Sequence, residues 1–102
     1  MRRASELIGD LMIKLARSAS NVKITFALPS DHPIGKCSVV GDFNGWQPGR
    51  HSFRRRSNGT CSVAVTLPYG TRVRFRYLGS GGQWFNDPDV SEFDGPDSVL
   101  II

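Results

Sequence analysis

Two stretches of strict two-residue alternation, joined by one tight turn, limit what this chain can become. In Thr60 to Leu67, Cys61, Val63, Val65 and Leu67 fall on one side and Thr60, Ser62, Ala64 and Thr66 on the other. In Arg72 to Leu78, Val73, Phe75 and Tyr77 oppose Arg72, Arg74 and Arg76. Side chains of an extended chain point alternately to its two faces, so each stretch predicts a strand with one buried face. Leu67-Pro68-Tyr69-Gly70, with proline second and glycine fourth, predicts the turn between them.

The same period recurs elsewhere. Val22, Ile24, Phe26 and Leu28 alternate with Lys23, Thr25 and Ala27. Cys37 to Gly41, His51 to Arg56, Gln83 to Asn86 and Ser98 to Ile102 read as further short strands, and Asn58-Gly59 as a hairpin turn. Breaker-rich loops fill 29–35, 42–49 and 79–82. Short alternating strands with turn signals between them predict an all-β antiparallel sandwich over residues 21–102. Residues 1–20 read as a leader with a short helix over 5–17, because Leu7, Leu11 and Leu15 are spaced four apart beside Ile8 and Met12. That helix would cover the sandwich or serve self-association.

At 102 residues the chain is long enough for one core and too short for a catalytic domain plus a binding domain. The net charge of +4 permits an acidic partner without requiring one. The two cysteines, Cys37 and Cys61, have no metal-ligand spacing and are expected to pack as small hydrophobes in the core, with a disulfide between them as the alternative. Leu7 to Ala16 is broken by Gly9, Asp10 and Lys14, unlike a signal peptide, and no apolar run is long enough to span a membrane. The expected compartment is the cytoplasm, with no membrane partner.

Trp46, in a Gly/Asn/Pro-rich loop, and Trp84, after a glycine-rich turn, sit where a core does not need them. An indole face is electron-rich and stacks on the C–H-lined face of a sugar ring, while Arg74, Arg76, Gln83, Asn86 and Asp97 could meet the hydroxyls. The competing reading makes both indoles structural plugs. Arg54-Arg55-Arg56 and the stripe Arg72/Arg74/Arg76 invite nucleic acid, but they also read as a solvated basic face offset by an acidic tail, and no nucleic-acid partner is expected. Catalytic patterns are poor. Gly79-Ser80-Gly81 is no nucleophile elbow, and His32 and His51 have no nucleophile to pair with. The segment from Asp87 to Glu92 lacks the sixth-position glycine of a calcium loop. No catalytic residue, cofactor or metal is expected.

Val39-Val40-Gly41-Asp42-Phe43-Asn44-Gly45-Trp46 resembles the family 48 carbohydrate-binding modules, and three later stretches agree: Leu67-Pro68-x-Gly70 with Val73-Arg74-Phe75-Arg76-Tyr77, Gly82-Gln83-Trp84-Phe85-Asn86-Asp87-Pro88, and Ser98-Val99-Leu100-Ile101. These are the early-set domains of isoamylases and glycogen branching enzymes, and they include the glycogen-binding domain of the AMP-activated protein kinase β subunit. The resemblance implies an immunoglobulin-like sandwich that binds α-1,4-linked glucan such as glycogen or maltooligosaccharide without catalysis. It implies a stand-alone module, with a glycogen-metabolising enzyme as a further partner. Trp46 and Trp84 match the family's stacking tryptophans, and Arg74, or Arg76 with a slip, its basic contact. Asp97 stands where the family has asparagine, and an ionised carboxylate only accepts hydrogen bonds. The alternative is a protein-interaction domain on the same fold with weakened sugar binding.

Overall fold

The computed structural model describes residues 13–29 and 36–102. The predicted immunoglobulin-like, all-β antiparallel sandwich is what forms. One sheet orders its strands as β1 (Ile13–Ser18), β2 (Asn21–Pro29), β5 (Thr60–Pro68) and β4 (Arg54–Arg55). The other runs β3 (Cys37–Gly41), β6 (Arg72–Gly79), β9 (Asp97–Ile101) and β8 (Phe93–Asp94), with β7 (Trp84–Phe85) also on β6. Tyr77 pairs with Val39 on one side and Phe85 on the other, and Phe75 with Gly41 and Ser98. Strands β7 and β9 therefore lie end to end along the same edge of β6, opposite β3.

The alternating residues form the core. Ile24, Phe26, Val39, Val73, Phe75 and Tyr77 are fully buried. Phe26 meets Phe75 across the sheets with ring centroids 5.0 Å apart, and Tyr77 takes Phe53 and Phe85 edge-on, each at 5.4 Å. The Tyr77 hydroxyl donates to Asp87 Oδ2 at 2.6 Å, and Asp87 Oδ1 accepts from the Asp89 amide at 2.8 Å. This ties the segment after β7 to the core, and Asp87 itself is 1% exposed. Burial, then the neighbouring Asp87 carboxylate, raises the Tyr77 phenol well above its usual 10.0. Cys37 lies in the core and Cys61 packs against it, neither in a disulfide, and burial raises both thiols.

The sandwich is sewn along one side. The Val39 amide donates to the His51 carbonyl at 2.9 Å and the Phe53 amide to the Cys37 carbonyl at 3.0 Å, and Ser38 bridges Ser52. The chain then crosses to the first sheet, so only Arg54–Arg55 of the predicted 51–56 strand is regular.

Two further expectations change. Residues 13–17 of the predicted helix are strand β1, while 5–12 lie outside the described residues. Ile13, Leu15 and Arg17 stand opposite Phe26, Ile24 and Val22, so the segment repeats every two residues and continues the first sheet. The turn before β6 is also displaced by one residue. The Thr71 amide reaches the Pro68 carbonyl at 3.2 Å, which puts Gly70 third, where its φ of +88° suits a type II turn.

Replacing Phe75 by alanine should cost about 3–5 kcal/mol, whereas Leu15→Ala should cost less than about 1 kcal/mol because its side chain is half exposed. Urea denaturation measures both. A phenol raised by folding keeps its proton where the unfolded chain loses it, so the stability it contributes is present below pH 10 and falls as pH rises above that value. Tyr77→Phe should flatten that part of the alkaline stability curve.

Candidate functional site

The outer face of the second sheet is shaped by the turn after β3. Gly41 must be glycine, since a Cβ there would collide with the Arg74 carbonyl oxygen and come within 2.6 Å of Phe43 Cε2. A single 3-10 turn, Asp42–Asn44, follows. The buried Asn44 side chain does the work of missing backbone bonds. Its Oδ1 accepts from the Gly41 amide at 3.1 Å, and its Nδ2 donates to the Val39 carbonyl at 3.1 Å and lies 3.0 Å from His51 Nδ1. As Nδ2 can only donate, His51 Nδ1 is the acceptor, and the ring proton belongs on Nε2. Phe43 packs against Phe26 and His51, with centroids 6.3 and 5.5 Å apart. Gly45 and Trp46 then adopt left-handed backbone, φ +67° and +59°, and the Trp46 amide closes onto the Gly41 carbonyl at 2.9 Å. For tryptophan this conformation costs about 1–2 kcal/mol.

That turn aims the indole at β6. The Arg74 guanidinium carbon lies 5.8 Å from the Trp46 ring centroid, and that of Arg76 lies 5.7 Å from Trp84. Arg74 Nη2 donates to Asp97 Oδ2 at 2.6 Å, and its Nε is 3.8 Å from Asp94 Oδ2. The Asp97 hydrogen bond raises the Arg74 guanidinium further above its ordinary range. Arg76 Nε donates to Asn86 Oδ1 at 3.1 Å, and Asn86 Nδ2 donates to the Pro96 carbonyl at 3.1 Å, next to Asp97. Trp46, Arg74, Asp97, Asn86, Arg76 and Trp84 thus form one connected layer. Beneath it, Val40 and Val99 stand opposite Arg76 and Arg74 on the same face yet are 0% and 7% exposed. The arginine stems cover them while the charged heads stay at the surface.

Trp84, opposite Leu78 in the register, is exposed, and Trp46 is half-buried. Gln83 does not join the layer. Its amide folds back over Gly81, within 2.8 Å of where a Cβ would stand. Asp94, which the sequence reading passed over, also bonds Arg72 at 3.1 Å. Its strand is two residues long and carries no periodic signal. His32 lies outside the described residues. Of the carboxylates near the layer, Asp94 and Asp97 are tied to arginine side chains, and Asp42 Oδ1 accepts from the Arg74 amide at 3.4 Å. A cavity of about 880 Å³ lies elsewhere, lined by Cys37, Ser38, Phe53 and Cys61 among others, and includes neither indole. Among the described residues, no three His, Cys, Asp or Glu side chains are grouped as a metal ion would need, and no helix is long and apolar enough to cross a membrane.

Asn44→Ala should destabilise the fold by about 1–3 kcal/mol, because it leaves the buried Gly41 amide and Val39 carbonyl short of a partner. It should also shift Trp46 emission toward that of a solvated indole, which fluorescence of a Trp84→Phe background would show.

No protein-family model matches the chain. It is similar to parts of glucan branching enzymes. A 1,4-alpha-glucan branching enzyme of Xanthomonas campestris pv. campestris is 34% identical over 61 residues, covering 59% of this chain and 8% of the enzyme. One from Cupriavidus pinatubonensis is 44% identical over 43 residues, covering 41% and 6%. One from Vibrio cholerae is 30% identical over 78 residues, covering 74% and 11%. The chain thus spans about a tenth or less of the length of these curated relatives.

Proposed function

We propose that this domain binds α-1,4-linked glucan, of the glycogen or starch kind, without catalysing its turnover. The observation that carries this reading is the connected layer of two indoles, two arginines, Asn86 and Asp97 on an open sheet face. Similarity to enzymes named for glucan branching supports it. The ring faces of two sugars of one chain would lie on Trp84 and Trp46. Arg76 uses only its Nε on Asn86 among the described residues, which leaves both Nη groups for sugar hydroxyls. Asp97 can accept from a hydroxyl but cannot donate. Asp94 and Asp97 hold the Arg74 side chain, Asp42 accepts from the Arg74 amide, and no cleft encloses the face, so the arrangement suits binding rather than glycoside cleavage.

A shallow open face buries little of a ligand, so the expected dissociation constant is on the order of 0.1–1 mM. The chain has two tryptophans, which makes intrinsic fluorescence a direct test. Titration with maltoheptaose should give a saturable change, unaffected by salt because the sugar is neutral. Trp84→Ala should weaken binding at least about tenfold. Trp46→Gly should do the same while changing stability by less than about 1 kcal/mol, since relief of left-handed backbone offsets lost packing. An unchanged spectrum at millimolar sugar, with the fold intact, overturns the proposal. It would favour the second reading, a protein-interaction domain without sugar binding. The engagement of Arg74 by Asp97 and the half-buried Trp46 speak for that alternative.

A further inference from the structure

Charge is divided between the sheets. The strands of the first sheet and the β4–β5 turn carry Lys14, Arg17, Lys23, Arg54, Arg55 and Arg56 and no acidic residue. Every acidic residue among those described, Asp42, Asp87, Asp89, Glu92, Asp94 and Asp97, belongs to the second sheet or its connections.

The register shows which cations share a face. Ile13 and Leu15 stand opposite Phe26 and Ile24 and turn inward, so Lys14 turns outward beside Thr25. Lys23 stands opposite Ala16 and Thr66 on that outer face. Arg54 pairs with Ser62, and Arg56 lies across Ser62, its Nε 2.9 Å from the hydroxyl and its Nη2 3.2 Å from the carbonyl. Lys14, Lys23, Arg54 and Arg56 are all exposed, and none forms an ion pair with a described carboxylate. Among the described residues, the small side chains of Thr25, Ala27, Ser62, Ala64 and Thr66 lie between the two pairs.

We infer that this outer face of the first sheet docks a carboxylate-bearing face of a folded protein, on the side of the molecule opposite the indoles. Unneutralised cations on one flat surface attract a complementary field and repel like-charged partners. The shape selects among polyanions. Among the described residues, no aromatic ring lies on this face for nucleic-acid bases to stack on, and no helix or ribbon projects from it to enter a groove. Among the described residues of this face, no large apolar side chain is available to insert into a bilayer. A flat pleated surface meets another flat surface. Strands of six, nine, nine and two residues, at about 3.3 Å per residue and about 4.8 Å apart, give roughly 400 Å², half of one partner's share in a standard interface, so the contact would be transient and steered by charge.

The test uses the full chain and a negatively supercharged fluorescent protein as the acidic probe, with binding read by anisotropy as salt is raised. K14Q/K23Q and R54Q/R56Q should each weaken binding about fivefold or more, while K36Q/R50Q, the same change in net charge at exposed positions off this face, should weaken it less than about twofold. Thermal melts confirm folding, and maltoheptaose titration of each variant keeps the result separate from the glucan reading. Equal weakening by all three variants, or no binding of the probe at low salt, overturns the inference. So does tighter binding of duplex DNA or phosphatidylserine vesicles that is lost in the same variants.

Discussion

The alternation of β6 holds the core and the outer face of the second sheet in one register. Val73, Phe75 and Tyr77 are 0% exposed, while Arg72, Arg74 and Arg76 between them face out. Because the period is two, a slip of one residue would turn three guanidiniums into the aromatic cluster around Phe26 and expose three large apolar side chains. The same strand pairs with β3 on one edge and with β7 and β9 on the other. Trp84, Asn86 and Asp97 reach a common surface because the segments bearing them share that edge. The position of every group in the layer except Trp46 is therefore inherited from hydrophobic burial on the far side of the sheet.

Trp46 reaches the layer by another route. Its backbone is held left-handed by a turn whose polar groups are satisfied by one amide side chain, Asn44, linking Val39, Gly41 and His51. The strain at Trp46 persists because these bonds, the closure onto the Gly41 carbonyl and the packing of Phe43 over-determine the turn. An indole positioned this way loses little further freedom on meeting a flat ligand, which matters where the area buried is small.

Most of this architecture was legible in two-residue periodicity. Strands β2, β5 and β6 follow from which residues are apolar. Residues 13–17 misled because Leu7, Leu11 and Leu15 fit a helical period, and a six-residue strand is too short for Ile13 and Leu15 alone to decide between periods. What decides is pairing with β2, a long-range contact that local spacing does not encode. Strand β8 was invisible for a similar reason. It is two residues long, and Asp94 joins the arginine cluster only because β9 holds it there. The six side chains of the layer were named individually from residue type and resemblance. Their linkage through the Pro96 carbonyl and the Asp97 carboxylate depends on the end-to-end placement of β7 and β9, which no spacing reveals.

The backbone hydrogen bonds that sew β3 to the segment before β4 have no counterpart described on the other side, where β1 and β8 are the outer strands. Leu15 and Phe93 face the interior from those strands yet remain 50% and 52% exposed. Among the described residues, the two sheets are thus hinged along one margin and not hydrogen-bonded along the other. Local opening should begin at the second margin and widen toward the hinge, so amide protons of β1 and β8 would exchange with solvent long before those of β6. The arginine layer, built on the strand that opens last, would keep its geometry through fluctuations that already separate the opposite margin.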